Sequence, residues 1–263
     1  MQIEVIIEKK SHKLDAEEGK TILETLQEHG IHVLTAPCGG RGRCGKCTVE
    51  VEHMGEVLAC MTKVTDGMRI TIPKVQLRAQ KSKIAENGTV THYPADDGEG
   101  LDAACDIGTT TVVCHLIDGK TGEKLATVSE PSAQRSFGAD VLSRIQAAEA
   151  GKLEILKEQI IFQIAQMLRT LQKKTGRGEQ IQRLAVVGNT VMCHLFAGIS
   201  PVSIGVTPFM PQEFFGKEYT GEQLGLTDCR SVYIAPAVAG FVGGDITSDL
   251  LAVMQKNPKE KVL

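Results

Sequence analysis

Cys38-Gly39-Gly40-Arg41-Gly42-Arg43-Cys44-Gly45-Lys46-Cys47 sets three cysteines within ten residues, and twelve more residues separate them from Cys60. Two irons each need two thiolates, and a loop carrying three cysteines with a fourth on a nearby hairpin supplies them. Glycine between the ligands lets the backbone wrap closely and turn its N–H groups toward sulfur. The spacing predicts a 2Fe–2S cluster on Cys38, Cys44, Cys47 and Cys60. Arg41, Arg43 and Lys46 would offset the anionic cluster and face an electron-transfer partner. Structural zinc also takes four cysteines, commonly as two CxxC pairs, but only Cys44-x-x-Cys47 has that spacing here. Gly40-x-Gly42-x-x-Gly45 matches the dinucleotide fingerprint, yet it threads through the cysteines and no amphipathic helix follows it.

Upstream of the loop, Ile3, Val5 and Ile7 alternate with polar neighbours and predict a half-buried strand. Thr21 and Glu24 have capping-box spacing, and Ile22, Leu23 and Leu26 form an apolar stripe ending at Gly30, which predicts a short helix. Downstream, Val49/Val51 and Ile70/Ile72 predict two further strands. Residues 1–80 thus read as a small sheet crossed by one helix. Residues 81–102 have no sustained periodicity, end in an acidic glycine-containing tract, and read as a linker.

Charge divides along the same boundaries. Residues 1–80 carry 11 Lys+Arg against 11 Asp+Glu, and residues 103–263 carry 16 of each. The net charge of -3 therefore sits in the linker, and neither block is a basic nucleic-acid binder. Aromatic residues make up 4% with no Trp, too few for a stacking surface for single strands. No stretch approaches the apolar length of a membrane span, and the chain opens MQIEVIIEKK without an apolar signal core. Eight cysteines in a chain this large are expected as reduced thiols in a cytoplasmic protein rather than as disulfides. Cys105, Cys114, Cys193 and Cys229 lack ligand spacing; Cys105 and Cys114, in apolar strands, read as small core residues, and the seven histidines as packing or surface groups.

The second block, 103–263, reads as strands at 103–107, 110–117 and 123–129, then a helix near 139–149. A longer helix carries Leu153, Leu156, Ile160, Ile164, Met167 and Leu171 on one face. A strand at Leu184–Val187, a helix near Thr190–Ala197, a strand at Val232–Ala235 and a helix near 243–255 complete the order. Asp106-Ile107-Gly108-Thr109-Thr110 falls between the first two strands. Small residues at a hairpin tip can present N–H and hydroxyl groups to a phosphate, while a strand-end carboxylate orients a hydrated metal ion. An ordinary β-turn between β-branched strands accounts for the same residues equally well.

Residues 1–80 resemble 2Fe–2S ferredoxin domains of the β-grasp fold. Five residues rather than the plant-type four separate Cys38 from Cys44, and the fourth ligand arrives early, as in the ferredoxin-like domains of molybdenum hydroxylases. The element order after Ala103 resembles one ribonuclease-H-like lobe of the actin-like ATPase superfamily, which makes Asp106, Gly108, Thr109 and Thr110 its first phosphate loop. Together the two blocks are similar to the reductive activators of corrinoid proteins. So are Phe137-Gly138-Ala139-Asp140-Val141, Val187-Gly188-Asn189-Thr190, Pro208-Phe209 and Ala239-Gly240-Phe241-Val242-Gly243-Gly244-Asp245. Gly188, Asn189 and Asp245 are expected to line the same cleft.

That resemblance implies an α+β / α/β chain whose cluster takes an electron from a reductase or ferredoxin and passes it to cob(II)amide on a corrinoid protein. ATP and Mg2+ would bind in the full-length form. The superfamily encloses nucleotide between two lobes, and no second DxGT-type motif follows Asp245, so the C-terminal end at Lys261-Val262-Leu263 reads as a truncation before the second lobe. The other reading is a simple ferredoxin-like redox module whose second block serves docking or dimerisation. A sugar or acetate kinase fits poorly, because no substrate-lobe carboxylate can be assigned.

Overall fold

A computed structural model of the protein describes residues 1–73 and 98–256. Of these, 1–73 together with Ala133–Ala147 form one compact unit, and 98–132 with 148–256 form the other. The expected linker lies outside the described residues up to residue 97, and Leu101 and Asp102 belong to a strand.

The first unit is a mixed five-stranded sheet in the order β2-β1-β5-β3-β4. Its strands are β1 (Gln2–Ile7), β2 (Lys10–Asp15), β3 (Thr48–Val51), β4 (Gly55–Leu58) and β5 (Arg69–Thr71). β1 pairs antiparallel with β2 and parallel with β5, which aligns Val5 with Ile70. β5 then pairs antiparallel with β3, Val51 opposite Ile70. Helix α1 (Ile22–Glu28) starts in a complete capping box: Thr21 Oγ1 accepts from the Glu24 N–H, and Glu24 Oε2 from the Thr21 N–H. Its Ile22, Leu23 and Leu26 are buried with Ile3, Val5 and Val49. Each such side chain contributes about 1.5–3 kcal/mol of transfer free energy, so the helix is held down by its apolar stripe. This is the β-grasp arrangement.

The second unit is built on a six-stranded sheet in the order β10-β11-β9-β6-β7-β8. β6 (Leu101–Ile107), β7 (Thr111–Asp118) and β8 (Lys124–Pro131) form an antiparallel meander. β9 (Ile181–Gly188) and β11 (Cys229–Ile234) add in parallel beyond β6, and β10 (Lys217–Thr220) caps the edge antiparallel to β11. Apart from β10, the order is that of one ribonuclease-H-like lobe. Between β8 and β9 come α2 (Val141–Ala147), which belongs to the first unit, and the 23-residue α3 (Leu153–Thr175). Leu156, Ile160, Ile164, Met167 and Leu171 of α3 are buried, and the helix packs on β7, β8 and α4 (Thr190–Ala197). α5 (Gly221–Leu224) and α6 (Gly244–Lys256) complete the fold.

The expected helix over 139–149 starts later, at Val141, and from Ala148 passes into a π-helical turn, Ala148–Lys152, that breaks at Ala150 and at Gly151, whose φ of 82° lies outside the helical region. Among the described residues no helix is long and apolar enough to cross a membrane.

Candidate functional site

Two groups of side chains stand out, one in each unit. In the first, the loop after α1 carries Cys38, Cys44 and Cys47, and Cys60 follows β4. The thiols lie in two pairs: Cys38 Sγ to Cys44 Sγ is 3.3 Å, and Cys47 Sγ to Cys60 Sγ is 3.3 Å. Cys47 and Cys60 are buried, Cys38 and Cys44 half-buried. Nowhere among the described residues do three or more His, Cys, Asp or Glu side chains converge on a single metal-ion position. A tetrahedral zinc site needs four ligands on one centre, whereas two pairs match two irons with two thiolates each.

The loop backbone serves the sulfurs. Burial pushes the Cys38 thiol up, but N–H groups of Cys44, Arg41 and Arg43 and the Cys44 side chain outweigh it and bring it down to about 6. Cys60 is pushed up to about 12, first by burial and then by Cys47, while the Gly42 N–H opposes the rise. Glycine is required where these turns meet the second pair. A Cβ on Gly42, at φ 70°, would lie 2.8 Å from Met61 Sδ. One on Gly40, at φ 80°, would stand 3.8 Å from Cys60 Cβ, filling the space beside the thiol. Donor chemistry, pairing and this cradle all fit a 2Fe–2S cluster.

The second group gathers at one edge of the six-stranded sheet. β6, β9 and β11 run parallel, so their C-terminal ends, near Ile107, Gly188 and Ile234, share that edge. Ligand sites of open α/β sheets form there. Asp106 is the penultimate residue of β6, Gly108, Thr109 and Thr110 form the tip before β7, and Gly188 ends β9. Asn189 caps α4 by accepting from the Met192 N–H at 3.0 Å, and its Nδ2 donates to Thr109 Oγ1 at 3.1 Å. A single amide therefore ties the hairpin tip to the next helix. The turn before α6 lies on the same spot: an ideal Cβ on Gly243 would be 2.6 Å from Gly188 O. Thr190 Oγ1 donates to Ala239 O at 2.7 Å and holds the two turns together.

Asp245, in the first turn of α6, comes near Asp106 together with Asp249. The Asp106 side chain opens to solvent but sits low at the sheet edge. Partial burial and then the Asp245 and Asp249 carboxylates push it up to about 6 from an ordinary 3.8. Thr110 is exposed at the tip. The structure thus brings together Asp106, Thr109, Gly188, Asn189 and Asp245, and adds Gly243 and Asp249. The i, i+4 spacing of Asp245 and Asp249 on one helix was the available signal for the latter.

The raised Asp106 has a sign that can be checked. A carboxyl whose folded pKa lies above its unfolded one costs stability as pH rises through that interval, in full above about pH 6. Asp106→Asn is expected to raise the melting temperature at pH 7.5 and to leave it unchanged near pH 4. Solvent screening holds the gain below about 1 kcal/mol. Equal shifts at both pH values in thermal melts would rule out the electrostatic origin.

The other cysteines lie inside the second unit. Cys105 and Cys114 face each other across β6 and β7 with their Sγ atoms 2.8 Å apart, and Cys193 and Cys229 are buried.

Comparison with known proteins follows this division. Residues 4–74 match the 2Fe–2S iron-sulfur cluster binding domain, and residues 101–257 match the RACo middle region. The corrinoid activation enzyme RamQ of Eubacterium limosum is 26% identical over 307 residues, covering 87% of this chain and 51% of that protein. The solved structure of a reductive activator for corrinoid, iron-sulfur protein is 24% identical; it superposes on 98% of this chain and 59% of its own, with a TM-score of 0.58. The chain spans about half the length of the curated relative it matches. Because the matched region 101–257 takes in more than half of its length, the chain belongs to the family of the RACo middle region, preceded by a 2Fe–2S cluster-binding domain.

Proposed function

We propose that this chain is the electron-carrying part of an ATP-dependent reductive activator of corrinoid proteins. Cys38, Cys44, Cys47 and Cys60 hold the 2Fe–2S cluster, which supplies one-electron transfer when bound. A reductase or ferredoxin gives the electron, and cob(II)amide on a methyl-transfer corrinoid protein accepts it and becomes cob(I)amide. The observation that carries the reading is the arrangement of the four thiols as two 3.3 Å pairs beneath loop N–H groups. The names of both relatives support the corrinoid partner.

In the second unit, Gly108, Thr109, Thr110, Gly188 and Asn189 offer backbone N–H, hydroxyl and amide groups to the phosphates of ATP. Asp106 and Asp245 orient its hydrated Mg2+. A cluster near about −400 mV does not readily reduce cob(II)amide, so energy has to be coupled in, and nucleotide-driven shape change is the means. The protein works in the cytoplasm.

The test mixes the anaerobically reduced chain with a corrinoid protein in the cob(II)amide state and follows the corrinoid spectrum with and without millimolar Mg·ATP. Cob(I)amide is expected to form, faster with ATP when the same assay uses the full-length form, and Asp106→Ala in that form to remove the acceleration. By calorimetry, ATP is expected to bind this chain no more tightly than about 1 mM, roughly −4 kcal/mol, since a phosphate edge supplies only part of the usual contacts. Absence of cob(I)amide under every condition would leave a plain redox module as the better reading.

A further inference from the structure

Residues Ala133–Ala147 lie within the RACo-type region by sequence, yet they pack with the cluster-binding domain. The segment is folded tightly on itself. Arg144, wholly buried at 0% exposure, donates from Nε to Gly138 O at 3.3 Å and from Nη1 to Gln134 Oε1 at 3.2 Å. Asp140 Oδ1 accepts from the Ser143 N–H at 2.8 Å. Gly138 has no room for a side chain, since a Cβ would meet Ser143 Cβ at 2.2 Å.

Its contacts reach the residues that lead into the first thiol. Gln27 Nε2, on α1, donates to Ser136 O at 2.9 Å in a buried bond. The Ala139 N–H donates to Pro37 O at 3.2 Å. The Phe137 ring lies 6.4 Å from that of His32, tilted by 50°. Gly39, directly after Cys38, sits under the segment: its ideal Cβ would be 3.4 Å from Phe137 O and 3.8 Å from Ser143 Cβ. Pro37 and Gly39 are thus gripped on both sides of Cys38.

We propose that Ala133–Ala147 is a positioning strap for the cluster loop, with Phe137, Ala139 and Ser143 as its contacts and Arg144 as its internal lock. It rests on the reading of Cys38 as a ligand. Cys38 belongs to the half-buried thiol pair, the pair with the shorter path to solvent. Holding Pro37 and Gly39 limits how often that thiol swings away, and so limits release of the cluster. The second-family region thereby sets the surroundings of a cofactor bound by the first.

The experiment uses the full chain, loaded with its cluster under anaerobic conditions and challenged with excess ferrous-iron chelator. Bleaching of the visible band gives a release rate, and visible circular dichroism reports the handedness of the cluster's surroundings. Phe137→Ala keeps the carbonyl over Gly39 but empties the buried ring position beside His32, and is expected to speed bleaching about tenfold or more. Gln27→Leu leaves the strap intact, removes one buried hydrogen bond from the α1 side, and is expected to speed bleaching about fivefold. Both should alter the visible dichroism. Arg169→Ala, which breaks an exposed ion pair to Asp228 in the second unit, should change neither readout. If Phe137→Ala fails to fold, Gln27→Leu decides. Variants that bleach at the parent rate with the parent dichroism would overturn the strap. A parent chain that takes up no iron would overturn the cluster reading itself, and the strap with it.

Discussion

Cys60→Ala is expected to yield a colourless protein, where the parent chain purified anaerobically carries about two irons and visible charge-transfer bands. On the proposed ligation Cys60 shares an iron with Cys47, whose Sγ is 3.3 Å away, and both thiols are buried. Removing one leaves that iron with a single protein ligand, and among the described residues the cysteines other than Cys38, Cys44, Cys47 and Cys60 all belong to the second unit. Cys44→Ala removes half of the other pair and has the same expected result. Cys114→Ala is the control, since it deletes a buried thiol of the second unit and should keep the colour. Iron analysis and the visible spectrum decide the matter. An unchanged iron content in Cys60→Ala, or one zinc per parent chain, would sink the assignment.

Gly243→Ala should unfold the second unit more readily than most surface substitutions, by about 3 kcal/mol or more. An added Cβ would stand 2.5 Å from Thr190 N, 2.6 Å from Asn189 Cα and 2.6 Å from Gly188 O. All three are backbone atoms of the β9–α4 turn, so no flexible side chain can yield. Either the turn before α6 lifts off or Asn189 moves, and the latter breaks its bond to Thr109. Gly178→Ala provides the comparison: its Cβ meets nothing within 4 Å, and the change should be neutral or slightly stabilising. Urea unfolding followed by far-UV circular dichroism measures both. A Gly243→Ala midpoint within error of the parent would mean the two turns are not in contact.

Much of this was readable from residues alone. Alternation marked β1, β3 and β5, Thr21 and Glu24 marked the start of α1, and the three-and-four spacing from Leu156 to Leu171 marked α3. β2 was not legible, because of KSHKLD only Leu14 is buried and the remaining residues show no alternation. Its turn was hidden as well: Glu8 and Lys9 take φ of 48° and 72°, values a hairpin usually assigns to Asn or Gly. β4 and β10 are edge strands too, and neither holds a fully buried residue, so no apolar alternation marks them. By residue pattern Asp106, Asn189 and Asp245 stand apart, and their sharing of one cleft was legible only through the family resemblance, because periodicity does not reveal the parallel pairing of β6 with β9. The position of Ala133–Ala147 escaped for a related reason. Amphipathic spacing says that a helix buries one face, not which of two cores receives it.

The first unit is discontinuous along the chain, and this bears on its synthesis. Its final element, α2, ends at Ala147, whereas its last strand ends at Thr71. At roughly 5–20 residues per second, the ribosome takes about 4–15 s to cover the interval. Once the cysteine loop has left the exit tunnel, Gly39 stays bare until Phe137 and Ser143 follow it. Iron delivered in that window meets a loop held only by its own turns, and iron delivered afterwards meets the finished one.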